Sequence, residues 1–262
     1  MKLAFSTLGV PGMPVPEVAA LAAATGYHGV ELRADAEEPV HPGIGTRERA
    51  AVVAEFDRAG VEILTVAGYV RMAAAGDDEA VHQDLDGLLR LAKDLGAPYI
   101  RVFPGGGDQD QDSADATAAR RLAAAAETAA DLGVRILLET HDSHRTGAAV
   151  SRVLGTVGHL HAGALWDVLY PWLEDEPPVA THAALSPFLG YVQVKDVASP
   201  QDLTPLLLGS GVLPLAECLA LTGEDGWVCW EYEKRWHPEV PDLAGLLIPG
   251  REHLQSMSAP TR

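Results

Sequence analysis

The sequence predicts an α/β protein of the (β/α)8 or TIM-barrel class, formed by residues 1–262 as one domain. Short apolar runs alternate with longer amphipathic stretches eight times along the chain. Runs rich in Val, Ile, Leu and aromatic residues are typical of parallel strands that are buried on both faces. The length suits a single barrel, and no charge run or change in composition marks a domain boundary.

Eight apolar runs are the predicted strands. They cover residues 3–8, 29–33, 62–67, 99–103, 135–139, 164–168, 191–195 and 227–233. Each run has only a handful of residues, which is the usual length of a barrel strand. Strand and helix alternating in this way indicate a parallel sheet with crossover helices.

The helical stretches between the strands have clear ends. The best-defined one begins at Asp77 or Asp78, either of which can cap a helix, and ends at Gly96. Residues 115–132 form an alanine-rich stretch that is helical throughout. Gly26, Gly60 and Gly133 end three more helices, and each is followed closely by the next strand.

An open, doubly wound sheet is the alternative arrangement of eight strands. A nucleotide-binding open sheet should carry a glycine fingerprint after its first strand. The segment Gly9-Val10-Pro11-Gly12 does not supply this fingerprint. The barrel is therefore the favoured prediction.

The composition favours a small-molecule partner. The chain has 37 Asp and Glu residues against 19 Lys and Arg, a formal net charge of −18, which disfavours nucleic acid and anionic membrane surfaces. No apolar run approaches the length of a membrane span or a signal peptide. Two cysteines, Cys218 and Cys229, form neither a disulfide framework nor a metal motif. We therefore expect a cytoplasmic protein.

Polar side chains stand at or near the ends of the last four predicted strands. They are Glu139, Asp167, Gln193 and Glu231. The carboxyl ends of barrel strands meet at one face, where the active sites of such enzymes lie. If these side chains point inward, they surround one point near the barrel axis.

Three carboxylates at one point require a counter-charge, because their repulsion would otherwise protonate some of them. A divalent cation would provide it, and an all-oxygen ligand set selects Mg²⁺ or Mn²⁺. Such a metal polarises a carbonyl and a neighbouring hydroxyl, while two glutamates remove and return a proton. The pattern indicates proton transfer next to a carbonyl through an enediolate.

These residues also resemble the signature blocks of the xylose-isomerase-like barrel superfamily, the sugar phosphate isomerase/epimerase type. The blocks are Leu138-Glu139, Trp166-Asp167-Val168, Gln193-Val194-Lys195-Asp196 and residues 230–239. The glycine-containing segment 206–212 is similar to the loop between strands seven and eight of that family. The resemblance covers essentially the whole chain.

The resemblance implies a metal bound by Glu139, Asp167, Gln193 and Glu231, with Glu139 and Glu231 also acting as the acid/base pair. The family usually has histidine where Gln193 stands. Hydroxypyruvate isomerase-like members have glutamine there, which implies Mg²⁺ or Mn²⁺ rather than zinc. Family members are often dimers or tetramers, so the resemblance allows a homo-oligomer.

Further residues are candidates for catalysis. Lys195 could stabilise a developing oxyanion, or could neutralise Asp196 or Glu233. His141 follows Glu139 by two positions, so it could lie near the substrate or in solvent.

Substrate contacts are expected from four residues. Glu31 lies near the end of strand two, two residues before Arg33, where it could contact a substrate hydroxyl or form a salt bridge with Arg33 across the barrel mouth. Glu233 is also the alternative metal ligand if the register of strand eight shifts by two residues. Trp166 and Tyr170 could form a wall for a sugar ring, although aromatic residues more often serve packing. The family often has histidine where Tyr170 stands, which leaves the substrate open.

Three other functions fit parts of this pattern. A lyase or dehydratase acting on a keto-sugar or keto-cyclitol would use the same metal and the same first proton abstraction. An abasic-site endonuclease would need histidines at the ends of strands three and four, where Ala67-Gly68-Tyr69 and Phe103-Pro104-Gly105 stand. A barrel without catalysis could bind a sugar or a partner protein. The backbone of residues 209–211 could bind a phosphate or form a plain turn.

Overall fold

The structure is a computed structural model that describes residues 1–223 and 225–258. Eight parallel strands form a closed barrel in sequence order, β1 pairing with β2 and onward until β8 pairs again with β1. Helices follow each strand and cover the outside of the barrel. The predicted (β/α)8 barrel is confirmed, and the open sheet is excluded by the pairing of β1 with β8.

The strands are β1 (Lys2–Ser6), β2 (Gly29–Arg33), β3 (Glu62–Arg71), β4 (Tyr99–Phe103), β5 (Arg135–Glu139), β6 (Ala162–Asp167), β7 (Leu189–Val194) and β8 (Trp227–Trp230). The helices of the described residues are α1 (Val15–Thr25), α2 (Thr46–Ala59), α3 (Asp78–Leu95), α4 (Gln111–Leu132), α5 (Gly147–Val157), α6 (Leu169–Leu173), α7 (Pro178–Leu185), α8 (Leu215–Thr222) and α9 (Leu243–Ser258).

The strand predictions are accurate for three strands and differ at one or both ends for the other five, among them β1, which spans residues 2–6 rather than 3–8. β2, β4 and β5 have the predicted bounds, whereas β8 ends at Trp230 rather than at residue 233. The backbone N–H of Glu231 still donates to Val194 O at 2.9 Å, so the chain leaves the sheet just beyond this residue. β3 continues to Arg71, and its pairing with β4 is irregular after Ala67.

Helix ends follow the expected capping chemistry. Asp77 caps α3 by accepting the N–H of Glu79, and Gly96 ends the helix in the left-handed conformation at φ 72°. Gly26, Gly60 and Gly133 end α1, α2 and α4 in the same conformation. Glycine adopts positive φ without steric cost, so the sequence itself fixes these three helix ends.

Apolar side chains form two separate clusters. The larger lies between the sheet and the helices. The smaller fills the inside of the barrel and consists of Ala4, Leu64, Leu137, Leu165, Tyr191 and Cys229. Cys218 and Cys229 are both free thiols. No helix within the described residues is long and apolar enough to cross a membrane.

Cross-strand pairing decides which side chains face the axis, since paired residues of neighbouring strands point to the same side of a sheet. Leu137 belongs to the inner cluster and pairs with Arg101, so Arg101 also faces inward. Cys229 is inside as well and pairs with Gln193, which pairs with Asp167. A layer of polar residues therefore lies directly above the apolar layer inside the barrel.

Candidate active site

The carboxyl end of the barrel contains a buried layer of ionisable and amide side chains. The layer consists of Glu31, Arg101, Glu139, Asp167, Gln193, Lys195 and Glu231, each at most 5% exposed. They come from β2, β4, β5, β6, β7 and the residues just after β7 and β8. The four predicted metal ligands are brought together by the closure of the barrel.

Lys195 is the cation at the centre of one half of this layer. Its Nζ lies 2.8 Å from Asp167 Oδ2 and 2.8 Å from Glu233 Oε1, and it also forms a short ion pair with Glu231. Burial alone would lower the pKa of Lys195, but these three carboxylates outweigh burial and raise the pKa well above its usual range. Lys195 is therefore charged, and it neutralises Asp167, Glu231 and Glu233 rather than Asp196.

Arg101 is the cation in the other half of the layer. Its Nε lies 3.3 Å from Glu139 Oε2. The guanidinium carbon lies 4.0 Å from the ring centre of Phe103 and 5.4 Å from that of Tyr69. The predicted acid/base residue Glu139 thus has a cationic neighbour, which the sequence reasoning did not identify. An arginine in the middle of the apolar run 99–103 was the available signal.

Glu31 and Gln193 form a hydrogen bond inside the barrel. Gln193 Nε2 donates to Glu31 Oε1 at 3.0 Å, and Tyr191 donates its hydroxyl to Glu31 Oε2 at 2.5 Å. Both carboxylate oxygens of Glu31 are thus engaged in the interior. The structure places Glu31 beneath the mouth of the barrel, so its closest partners are Tyr191 and Gln193.

The two glutamates expected to transfer protons have different electrostatic environments. Burial raises the pKa of Glu139 well above its usual value, and the nearby Arg101 opposes this only in part. Burial also acts to raise the pKa of Glu231, but Lys195 and Arg101 outweigh it and lower that pKa. Glu139 therefore tends to hold a proton, while Glu231 is ionised at neutral pH.

Three buried oxygen atoms of the layer have no hydrogen-bond partner among the described residues. They are Glu139 Oε2, Asp167 Oδ2 and Gln193 Oε1, and the contact of Asp167 Oδ2 with Lys195 is an ion pair that is not aligned as a hydrogen bond. Buried oxygens without donors are the ligands that a hard divalent cation requires. The donor set therefore fits a hard divalent cation.

Lys195 lies where such a cation would bind Asp167 and Glu231. Within residues 1–223 and 225–258, no group of three or more His, Cys, Asp or Glu side chains is arranged to hold a metal ion. A divalent cation at this position would have to displace the Lys195 ammonium from its 2.8 Å contact with Asp167. Metal binding and the position of Lys195 are therefore linked.

An aromatic rim surrounds the mouth beside Glu139. The ring of His141 lies 4.4 Å from that of Phe103 and 4.1 Å from that of Tyr170, measured between centres. Tyr170 OH and His141 Nε2 are 2.5 Å apart, and His141 Nδ1 lies 2.9 Å from Asp142 Oδ1. His141 and Tyr170 are thus held next to the polar layer, where substrate contact was expected.

Trp166 is not brought to this site. It is fully buried on the outer face of β6, and its ring centre lies 6.4 Å from that of His182 in α7. The alternation of side chains explains this, because Leu165 and Asp167 face the axis and Trp166 must face the helices. The expectation that Trp166 contacts the substrate is corrected accordingly, since the residue packs between sheet and helix. Glu233 lies at the mouth, where its contact is Lys195.

The backbone of residues 209–211 is not free to bind a phosphate. The N–H groups of Gly209 and Gly211 both donate to Asp196 Oδ2 at 2.9 Å, and Leu213 N donates to Asp196 Oδ1 at 3.2 Å. Asp196 is buried and ties down the loop between β7 and α8. This role of Asp196 follows from loop geometry and could not be inferred from the sequence.

The chain belongs to the xylose isomerase-like TIM-barrel family, because the model of that family matches residues 19–256. The fold and the strand-end residues described above are consistent with this membership. No curated protein matches the sequence significantly.

Solved structures of the same fold align over nearly the whole chain. The probable 3-DHS dehydratase AsbF from Bacillus anthracis is 18% identical with a TM-score of 0.81, and the alignment covers 100% of both chains. D-Psicose 3-epimerase in the presence of D-fructose is 15% identical with a TM-score of 0.82, covering 98% of this chain and 99% of that one. The IolI protein with a bound zinc atom is 15% identical with a TM-score of 0.79, covering 98% and 96%. At these identities the likeness shows the shared fold.

Proposed function

We propose that this protein is an isomerase or epimerase that acts on a sugar or a related hydroxy-carbonyl compound. The observation that carries the proposal is the pair Glu139 and Glu231, which reach one buried layer from separate strands and each lie beside a buried cation, Arg101 and Lys195 respectively. Two carboxyl groups whose environments drive their pKa values apart can serve as acid and base in one reaction. Among the similar structures, D-psicose 3-epimerase is a sugar epimerase.

The proposed reaction is proton transfer at the carbon next to a carbonyl. The ionised carboxylate of Glu231 accepts the proton, and the electrons of the C–H bond enter an enediolate. The carboxyl group of Glu139 returns a proton to a carbon of the enediolate. The Lys195 ammonium provides positive charge close to the developing oxyanion. Return of a proton to the same carbon on its other face gives an epimer, and return to the neighbouring carbon, with transfer of the hydroxyl proton to the former carbonyl oxygen, gives an isomer.

A divalent metal ion is part of this proposal. Glu139, Asp167, Gln193 and Glu231 would hold Mg²⁺ or Mn²⁺, as the three unpartnered oxygens support. When bound, the cation would polarise the carbonyl and lower the energy of the enediolate. The chain itself would contribute the amide oxygen of Gln193, which Glu31 orients, and the proton transfers at the two glutamates.

The test is solvent exchange. The metal-loaded protein would be incubated in deuterium oxide with a panel of ketoses, hydroxy-keto acids and keto-cyclitols, and proton NMR would record deuterium next to the carbonyl. Glu231→Gln should abolish incorporation, because its amide cannot accept the proton, and Glu139→Gln should abolish formation of the epimer or isomer, because its amide cannot return one. Glu127→Gln, on the exposed surface of α4, is the matched control.

Two outcomes would contradict the proposal. Wild-type rates in either of the two glutamate variants would remove the acid/base assignment. Absence of exchange with every compound, while the compounds bind and the fold is intact, would favour a barrel that binds a sugar without catalysis.

Dehydration by the same site is the second candidate, and the contact between His141 and Tyr170 favours it. The Tyr170 hydroxyl, 2.5 Å from His141 Nε2, is a proton donor at the rim of the polar layer. Such a donor could protonate a leaving hydroxyl after the same first proton abstraction. Formation of an unsaturated product, detected by ultraviolet absorption and NMR, would distinguish a lyase from an isomerase.

A further inference from the structure

Arg101 is a fully buried cation whose hydrogen-bonding capacity is largely unused. Its Nε and Nη1 are buried and have no hydrogen-bond partner among the described residues. A buried donor without a partner costs free energy, and the cost is greater for a charged group. Such a group, placed in a functional layer, is expected to gain its partner from a ligand.

The surroundings of Arg101 direct these donors into the site. Phe103 and Tyr69 lie against the guanidinium at 4.0 Å and 5.4 Å from ring centre to guanidinium carbon. The Nε edge lies 3.3 Å from Glu139 Oε2, without forming an aligned hydrogen bond. The aromatic rings thus hold the guanidinium in place, and its open edge is next to the proposed acid/base residue.

Two other buried cations at this end of the barrel, Lys195 and Arg33, are already engaged. Lys195 contacts three carboxylates, as described above. Arg33 donates to Tyr69 OH at 2.7 Å, to Glu38 at 2.5 Å and to Glu37 at 3.1 Å. Among Arg33, Arg101 and Lys195, Arg101 is therefore the cation whose N–H donors remain available for a ligand.

We propose that Arg101 binds a carboxylate of the substrate, so that the preferred substrate is a hydroxy- or keto-carboxylic acid rather than a neutral sugar. The inference rests on the function proposed above and names its substrate class. Nη1 is the unpartnered donor that does not share the Nε edge with Glu139, and its charge-assisted hydrogen bond to a carboxylate is stronger than one to a neutral hydroxyl. A phosphate group would need further donors, and the N–H groups of Gly209 and Gly211, in the loop after β7, are used by Asp196.

Three ligands that differ only at one carbon provide the test. D-Fructose carries a hydroxymethyl group at its first carbon, 2-keto-D-gluconate carries a carboxylate there, and D-fructose 1-phosphate carries a phosphate ester. Binding to the protein at a fixed Mg²⁺ concentration would be measured by calorimetry for the wild type, Arg101→Gln and Arg101→Lys. Arg90→Gln, on the exposed face of α3, has the same change in net charge and serves as control.

We expect the wild type to bind 2-keto-D-gluconate at least about tenfold more tightly than D-fructose, which is the usual effect of a hydrogen bond to a charged group. Arg101→Gln should abolish this preference, Arg101→Lys should retain part of it, and Arg90→Gln should retain all of it. Circular dichroism would establish that each variant is folded.

Three results would overturn the inference. They are equal binding of the acid and D-fructose, tighter binding of the phosphate ester, and an unchanged preference in a folded Arg101→Gln. The last result would assign the preference to the metal rather than to Arg101. Deuterium exchange with neutral ketoses would still support the proposed function in each case, so the two proposals fail independently.

Discussion

Gln193 donates its amide Nε2–H to Glu31 Oε1 at 3.0 Å, and both side chains are fully buried. This hydrogen bond fixes the orientation of the amide, because the reversed orientation would place its oxygen against a carboxylate. The amide oxygen Oε1 is thereby left without a partner among the described residues. Glu31 therefore prepares Gln193 to offer an oxygen to a cation.

Removal of the Glu31 carboxylate should weaken metal binding. We expect Glu31→Leu to lower the affinity for Mn²⁺ by about 10–100-fold, since residues that orient metal ligands typically have effects of this size. Glu31→Gln should restore part of the affinity, because its amide oxygen can still accept the hydrogen bond. Calorimetric titration of the metal-free protein with Mn²⁺ is the measurement. Unchanged affinity in a folded Glu31→Leu would show that Gln193 is oriented by other contacts.

Lys195→Met should make the fold depend on a metal. Loss of the ammonium leaves Asp167, Glu231 and Glu233 without their shared cation, and breaking a buried ion pair costs about 3–5 kcal/mol. Added Mn²⁺ should recover much of this free energy of unfolding, and lower pH should do the same by protonating the carboxylates. Urea unfolding with and without Mn²⁺ tests this. A variant as stable as the wild type without metal would contradict it.

Asp196→Asn should destabilise the loop between β7 and α8. The carboxylate accepts the N–H groups of Val197, Gly209, Gly211 and Leu213, and one amide oxygen cannot replace two carboxylate oxygens. We expect a loss of about 2–4 kcal/mol in the free energy of unfolding, measured with urea.

Gly211→Ala tests the same contact by steric means. A Cβ at this position would lie 2.2 Å from Asp196 Oδ1 and 2.3 Å from Val197 O, so we expect a clear loss of stability. Gly155→Ala is the matched control, because its Cβ would meet nothing within 4 Å inside α5. Alanine there should stabilise the protein by up to about 1 kcal/mol. Equal effects of the two substitutions would argue against the role of Asp196.

A buried histidine outside the polar layer should make stability depend on pH. His144 Nε2 lies 2.8 Å from Asp115 Oδ1, and His144 Nδ1 lies 2.9 Å from Ser143 Oγ. Burial lowers the pKa of His144, against the opposing effect of Asp115. The unfolded chain therefore takes up a proton before the folded one does, and stability is lost as pH falls below the unfolded value of about 6.5.

His144→Gln should remove this dependence. We expect it to cost about 2 kcal/mol at neutral pH through lost hydrogen bonds, with the difference from the wild type becoming smaller towards about pH 5. Urea unfolding across this range is the measurement. Parallel pH profiles for the two proteins would exclude His144 as the titrating group.

Much of the barrel could be predicted from local patterns. The apolar runs at 29–33, 99–103 and 135–139 coincide with strands, and the glycines at positions 26, 60, 96 and 133 end helices as expected. These features depend on burial and on backbone freedom within a few residues. The end of β8 was misjudged because the apolar and polar alternation continues after Trp230, where the chain has already left the sheet.

The site could be predicted only in part. The polar residues at the ends of the last four predicted strands indicated that Glu139, Asp167, Gln193 and Glu231 lie together in one layer. Trp166 was assigned to the site because it precedes Asp167 in the sequence. Neighbouring side chains of a strand point to opposite faces, so Trp166 faces the helices while Asp167 faces the barrel axis. Arg101 was missed because its role depends on an inward orientation and on contacts with residues from other strands.

The sequence by itself determined the alternation of strands and helices, and hence a parallel α/β fold, because these elements follow from hydrophobic periodicity and capping within short segments; the pairing of β1 with β8 decided that the sheet closes into a barrel. It also determined which carboxylates stand at strand ends. Only the tertiary structure decided that Lys195 lies between three carboxylates, that Glu31 orients Gln193 and that Arg101 retains free donors. These relationships join residues far apart in the chain. They arise from closure of the barrel, which fixes both the distances between these side chains and the directions in which they point.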